Sequence, residues 1–197
     1  MKLVQSLLAL LACFAMSAGA QPVAAPKVRV DTSLGSFVIA LELERAPLST
    51  ANFLEYARSG HYDKTIFHRV VAGFVVQGGG YSLSGREKPI RPEIANESRN
   101  GLLNRRGTVA LARLAGPDTA ASQFFVNLVD NAALDPPPEG WGYTVFGSVV
   151  EGMDVVDRIG AVTTGAYGFF DTEAPLEPVM LIRTEILESS SSEPAAP

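Results

Sequence analysis

A chain of 197 residues with 47% hydrophobic content is long enough for one domain with a full core. Its 21 acidic residues outnumber 16 basic ones, for a formal net charge of −5, and the absence of a basic stripe argues against a nucleic-acid binder. One cysteine and two histidines leave little material for a disulfide framework or a metal centre.

The chain opens with Lys2, then an almost wholly apolar stretch over 3–16, then Ser17-Ala18-Gly19-Ala20. Charge, apolar run and small residues in that order predict a secretory signal cut after Ala20. The apolar run is shorter than the roughly 20 residues a membrane-spanning helix needs. A competing reading rests on Leu10-Leu11-Ala12-Cys13, which resembles a bacterial lipoprotein box with Cys13 as a lipidated N-terminus. Cleavage after Ala20 leaves no cysteine, hence no disulfide and no thiol nucleophile. Residues 21–26 read as a flexible leader, 27–188 as the folded body, and the Ser/Pro/Ala-rich 189–197 as a disordered tail.

Within the body the hydrophobic period is mostly two, the strand period. Val28 and Val30 alternate with Arg29 and Asp31, and Leu34-Gly35 turns the chain before Phe37, Ile39, Leu41 and Leu43, which reads as a hairpin. Ser49 is placed to cap a helix over 50–59 that buries Phe53, Leu54 and Ala57 and stops at Gly60. Strands are predicted at 65–71, 74–77, 108–112, 123–128, 144–149 and 179–187, and a second helix at 152–159. Polar loops fall at 82–100 and 135–142. About eight short strands and two helices predict a mainly β fold, a closed or nearly closed barrel with helices at its ends.

Several chemistries drop out early. There is no Gly-x-Ser-x-Gly elbow. The run from Gly80 to Glu87 has the glycine spacing of a phosphate loop without its Lys-Ser/Thr ending. His61 and His68 have no acidic companions at ligand spacing, so no metal or other cofactor is expected. What remains is Phe67-His68-Arg69-Val70-Val71-Ala72-Gly73-Phe74-Val75-Val76-Gln77-Gly78-Gly79-Gly80. An arginine inside an apolar run needs a partner or a cleft. In a continuous strand Phe67 and Arg69 share a face, with His68 opposite, and Phe74 and Gln77 return to the same side after the turn. Taken alone, this leaves Arg69 equally readable as one half of a structural ion pair.

A second stretch, Gly107-Thr108-Val109-Ala110-Leu111-Ala112-Arg113 followed by Ser122-Gln123-Phe124-Phe125-Val126, alters the balance. Phe67-His68-Arg69-x4-Phe74-x2-Gln77-Gly78-Gly79 and Ser122-Gln123-Phe124-Phe125 resemble the hallmark runs of the cyclophilin family, and Asn52-Phe53 and the run from Tyr143 to Met153 follow its order and spacing. The resemblance spans 28–187 and is greatest to exported bacterial members.

The resemblance implies a closed eight-stranded antiparallel β-barrel capped by two α-helices, and a peptidyl-prolyl cis/trans isomerase. It implies Arg69 as the catalytic residue, Gln77 as a binder of substrate backbone, and Phe74, Val75, Phe125 and Leu134 as the pocket for proline. Phe67, Gln123 and the backbone of Ala112 and Arg113 complete the substrate-binding set with Tyr143, which replaces a pocket histidine. His68 is expected to be structural. Ala133 stands where eukaryotic members carry a tryptophan, which implies weak cyclosporin binding, and Trp141 reads either as a substitute cover or as loop packing. The implied partners are proline-containing polypeptides exported to the periplasm, met by a monomer. The rival is a non-catalytic, chaperone-like peptide binder on the same scaffold, which would have no need of Arg69. An envelope lipoprotein anchored through Cys13 is compatible with activity.

Overall fold

The computed structural model describes residues 25–187. The expected signal, Cys13, residues 21–24 of the leader and the 189–197 tail lie outside them. Eleven strands and two α-helices follow in the order β1 (Lys27–Thr32), β2 (Gly35–Leu41), α1 (Pro47–Arg58), β3 (Thr65–Ile66), β4 (Arg69–Val71), β5 (Val75–Gly78), β6 (Thr108–Leu111), β7 (Phe124–Asn127), β8 (Val145–Glu151), α2 (Met153–Gly160), β9 (Thr164–Tyr167), β10 (Phe170–Pro175) and β11 (Met180–Leu187).

Nine strands form one antiparallel sheet in the order β3-β11-β1-β2-β8-β6-β7-β5-β4, and β9 and β10 form a separate ribbon. This corrects the expectation of a closed eight-stranded barrel: the ladder has nine strands, with β3 and β4 at its two ends. Those ends are nevertheless consecutive in the chain, separated only by Phe67-His68. Three Cα steps reach about 11 Å at most, so the sheet must curl until its edges nearly meet. The chain itself joins them, and just beyond β5 the Tyr81-Ser82 segment bonds to β3, with Ile66 N donating to Tyr81 O at 2.9 Å and Thr65 bridging Ser82. The expected single strand over 65–71 is thus two, broken at Phe67-His68, where Phe67 N donates to Val179 O at 3.0 Å.

Helix α1 begins three residues before the expected start, with Pro47 in the first turn, where a missing N–H costs nothing. Ser49 is not its cap. The carboxylate of Glu97 accepts from Leu48 N at 3.0 Å and from Ser49 N at 2.8 Å, and the Ser49 hydroxyl donates to it at 2.7 Å. A negative charge at the N-terminus also complements the helix dipole. Phe53, Leu54 and Ala57 are buried as their spacing predicts, with Tyr56 beside them. Helix α1 packs on β11 and β8, and α2 on β2, β4 and β5. Between helices and sheet lies the main core, in which Phe53, Tyr62, Phe124 and Phe146 pack with ring centroids 5.0–5.5 Å apart. Each such buried ring contributes about 1.5–3 kcal/mol by leaving water.

Candidate active site

Antiparallel pairing places directly opposed residues on one face. Arg69 pairs with Gln77, Gln77 with Phe125, Phe125 with Ala110 and Ala110 with Val145, a row across β4, β5, β7, β6 and β8. The neighbouring row, Val70, Val76, Val126, Val109 and Gly147, points the other way. Its four valines belong to the main core. The first row instead forms a smaller apolar cluster of Val75, Ala110, Phe125 and Val145, with Phe74, Leu102, Ala112, Leu134 and Tyr143 packed against it. Strand alternation therefore divides one sheet into a core face and a cleft face.

On the cleft face a cavity of about 180 Å³ is lined by Arg69, Phe74, Val75, Gln77, Ala112, Arg113, Phe125, Leu134 and Tyr143. The hairpin between β4 and β5 closes on Phe74 N donating to Val71 O at 3.0 Å, and Gly73 takes the positive φ of 70° that this tight turn requires. Phe125 forms the floor and meets Tyr143 edge-on at 5.6 Å. Leu134, on a single 3-10 turn over Ala132–Leu134, is tied to the same wall by Tyr143 N donating to its carbonyl at 2.9 Å. A second cavity of about 160 Å³ shares Gln77, Ala112 and Arg113 with the first and continues past Glu87, Ile90, Glu93 and Gln123.

Polar side chains run along the lip in a line. Arg69 Nε donates to Glu173 Oε2 at 2.7 Å, Arg69 Nη1 to Gln77 Oε1 at 3.4 Å, and Gln77 Nε2 to Gln123 Oε1 at 3.0 Å. Gln123 lies so close over Gly80 that a Cβ there would come within 2.6 Å of its Cγ. The Arg69 and Glu173 side chains are 36% and 42% exposed. An ion pair this open contributes only about 0–1 kcal/mol to stability.

Of the residues expected at the site, nine line the first cavity, and Gln123 joins them through Gln77 and the second cavity. Phe67 does not. It is 1% exposed, packs into the main core and meets Phe124 at 6.3 Å. The parity argument that paired it with Arg69 assumed an unbroken strand, and the break at Phe67-His68 resets the alternation. His68 is structural as expected: it is 7% exposed, and its ring meets Tyr81 at 4.7 Å and Phe170 at 5.6 Å. Burial, reinforced by the neighbouring Arg69 charge, pushes its pKa down to about 4.

The Arg113 guanidinium is occupied with the protein itself. It donates to the carbonyls of Gly142, Leu114, Ala115 and Trp141 at 2.8–3.3 Å and lies 4.8 Å over the Tyr143 ring. Arg113 and Tyr143 thus form one stacked unit. Trp141 does not line the first cavity. It stacks on Arg99 at 5.8 Å, which makes it a loop-packing residue, and Ala133 is exposed.

Glu173 is the site residue that the sequence reading missed. Between the paired positions Phe170–Tyr167 and Ala174–Gly165 the ladder of β9 and β10 shifts register, so that residues 171–173 face only Ala166. Glu173 lies in that bulge with φ of +60°. For a residue other than glycine this conformation costs about 1–3 kcal/mol.

Residues 27–186 match the pattern of the family described as "Cyclophilin type peptidyl-prolyl cis-trans isomerase/CLD". The chain belongs to this family. It is 45% identical over 161 residues to peptidyl-prolyl cis-trans isomerase A of Dickeya dadantii, covering 82% of this chain and 84% of that one. It is also 45% identical over 164 residues to peptidyl-prolyl cis-trans isomerase B of Escherichia coli K12, covering 82% and 99%. A crystal structure of a Cryptosporidium parvum cyclophilin superposes with a TM-score of 0.68 at 26% identity, covering 84% of this chain and 99% of that one. The same Cryptosporidium protein has been crystallised in the presence of the dipeptide Ala-Pro. Arg69 lies on the cleft face of this sheet, and the core face supports it.

Proposed function

We propose that this cyclophilin accelerates rotation about X-Pro peptide bonds of exported polypeptides, with Arg69 stabilising the twisted bond. A peptide bond resists rotation by about 18–20 kcal/mol because its nitrogen shares a lone pair with the carbonyl. Before proline the two isomers differ by only about 0.5–1 kcal/mol yet interchange over tens to hundreds of seconds. No nucleophile or redox group is required. The catalyst must favour the twisted state, in which the prolyl nitrogen becomes pyramidal and regains its lone pair.

The observation that carries this reading is the Arg69 side chain beside Phe74, Val75, Phe125 and Leu134 in the lining of a cavity of about 180 Å³. Phe74, Val75, Phe125 and Leu134 offer the ring a dry seat, and Gln77 offers the adjacent backbone an amide. An arginine aimed at the returning lone pair binds the twisted state more strongly than the planar one, which is differential transition-state stabilisation. The second cavity extends the groove, so neighbouring residues of an extended peptide have a place beside the proline. The direct test is a protease-free isomerisation assay on a short X-Pro peptide. A rate equal to the uncatalysed one overturns the reading.

Export to the periplasm is part of the same proposal and rests on the charge, apolar run and Ala18-Gly19-Ala20 ending. Intact-mass measurement on protein from the producing cell should give a chain starting at Gln21. A lipidated chain starting at Cys13 would replace this version with the anchored one.

A further inference from the structure

The line of polar side chains along the cleft has its outer end at Glu173, on an element that contributes nothing else to the cavity walls. We propose that Glu173 is a positioning residue for the isomerisation, holding the Nε edge of Arg69 so that the rest of the guanidinium stays aimed into the cavity. The bulged hairpin of β9 and β10 is the arm that delivers it. This rests on the reading of Arg69 as the group that stabilises the twisted bond.

A guanidinium is a flat, rigid fork on a long flexible stem, so two contacts are needed to set its plane. Gln77 supplies one, and at 3.4 Å it is long. Glu173 supplies the other at 2.7 Å, a short charge-assisted bond of the stronger kind. The contact uses Nε, which leaves Nη2 and the free N–H of Nη1 for a substrate. Among the described residues neither Arg69 nor Glu173 has another ionic partner.

The arm is fixed on both sides of Glu173. Ala174 is buried in the protein, and Phe170 packs edge-on to Tyr81 at 5.1 Å and against His68, the residue adjacent to Arg69. The register shift and the left-handed backbone at Glu173 turn its side chain out of the ribbon and onto Arg69. Bulges beside active sites commonly re-aim a side chain in this way. An ion pair this exposed does not repay such a backbone as stability, so the arrangement is better explained by where it holds the arginine.

The test compares Glu173→Ala, Glu173→Gln and Arg69→Ala, singly and as Arg69→Ala with Glu173→Ala, by kcat and KM for one X-Pro peptide and by thermal melting. Loss of orientation should lower kcat of Glu173→Ala about tenfold with KM within about twofold. Glu173→Gln keeps an acceptor for Nε and should recover most of that loss. In the Arg69→Ala background Glu173→Ala should change nothing, because a residue acting through the arginine has nothing left to act on. Unchanged or raised kcat in Glu173→Ala, or an equal loss with and without Arg69, overturns the proposal. Should the alanine variant fail to fold, Glu173→Asp withdraws the carboxylate by one carbon. A partial loss of kcat there supports the proposal, and none overturns it. A fully active Arg69→Ala protein removes the reading of the site itself, whereas a crippled Arg69→Ala beside a normal Glu173→Ala removes the positioning role alone.

Discussion

The two faces of the strand row β4-β5-β7-β6-β8 obey the same alternation and answer to different demands. On the core face, Val70, Val76, Val126 and Val109 satisfy burial, and any aliphatic residue of similar volume would serve. On the cleft face, packing accounts for Val75, Ala110, Phe125 and Val145 but gives no reason for Arg69 and Gln77. The excess of polarity on a face that could have been wholly apolar is what the proposed function accounts for. On that proposal, stability and activity are carried by adjacent residues with opposite orientation.

That separation can be broken most forcefully at Phe124 and Phe125, neighbours in sequence that face opposite ways. Phe124→Ala, fully within the core, should lower unfolding stability by about 3–5 kcal/mol in denaturant titration. Arg69→Ala should leave that stability nearly unchanged and lower kcat/KM by about 10²–10³, or 2.7–4 kcal/mol of barrier, as for loss of one oriented electrostatic donor. Near wild-type kcat/KM in a folded Arg69→Ala protein would contradict the role assigned to it.

Cyclosporin sharpens the comparison on the cleft side. Ala133 offers neither the ring nor the donor of a tryptophan, and Trp141 is engaged with Arg99. A lost hydrogen bond of about 0.5–1.5 kcal/mol and lost apolar burial of about 1.5–3 kcal/mol predict that Ala133→Trp binds cyclosporin about 30- to 1,000-fold more tightly than wild type. Equal inhibition of the two proteins would discard the argument from Ala133.

His68 belongs to the core side despite its place beside Arg69, and pH should reveal it. In the folded state its pKa lies at about 4, below the ordinary 6.5, so the unfolded chain takes up a proton that the folded one refuses. Stability should therefore fall as pH drops below 6.5 and level off near 4, with about 2 kcal/mol lost by pH 5 at about 1.4 kcal/mol per unit. Burial also lowers the pKa of His61, which adds a slope of the same sign. Melting curves of His68→Phe against wild type isolate the larger contribution. An identical pH slope in both would show that His68 does not carry it.

Most of the fold was legible because its strands alternate locally, and most of the cleft because the hallmark runs sit on those strands. The errors share one physical origin, contacts made at long range. Ser49 resembles a cap locally, yet the capping carboxylate is Glu97, 48 residues away. Phe67 was assigned by parity across a break that only the pairing of β3 with β11 reveals. Glu173 meets Arg69 from 104 residues away, on a ribbon whose Gly-Ala-Tyr-Gly-Phe-Phe sequence has no clean alternation and whose bulge no local periodicity encodes.

The pairing of β1 with β11 has a consequence for the order in which the protein forms. Lys27 lies opposite Leu187, so the first strand of the sheet waits for the last one before both its edges are covered. On a ribosome, β1 and β2 can form their hairpin early, since they are joined by a short turn. The strand that completes the sheet emerges only after every residue of the cleft. Loop closure over such a separation is slow, which makes the pairing of β1 with β11 a late step in folding. The β1 edge of the sheet therefore stays exposed until β11 docks.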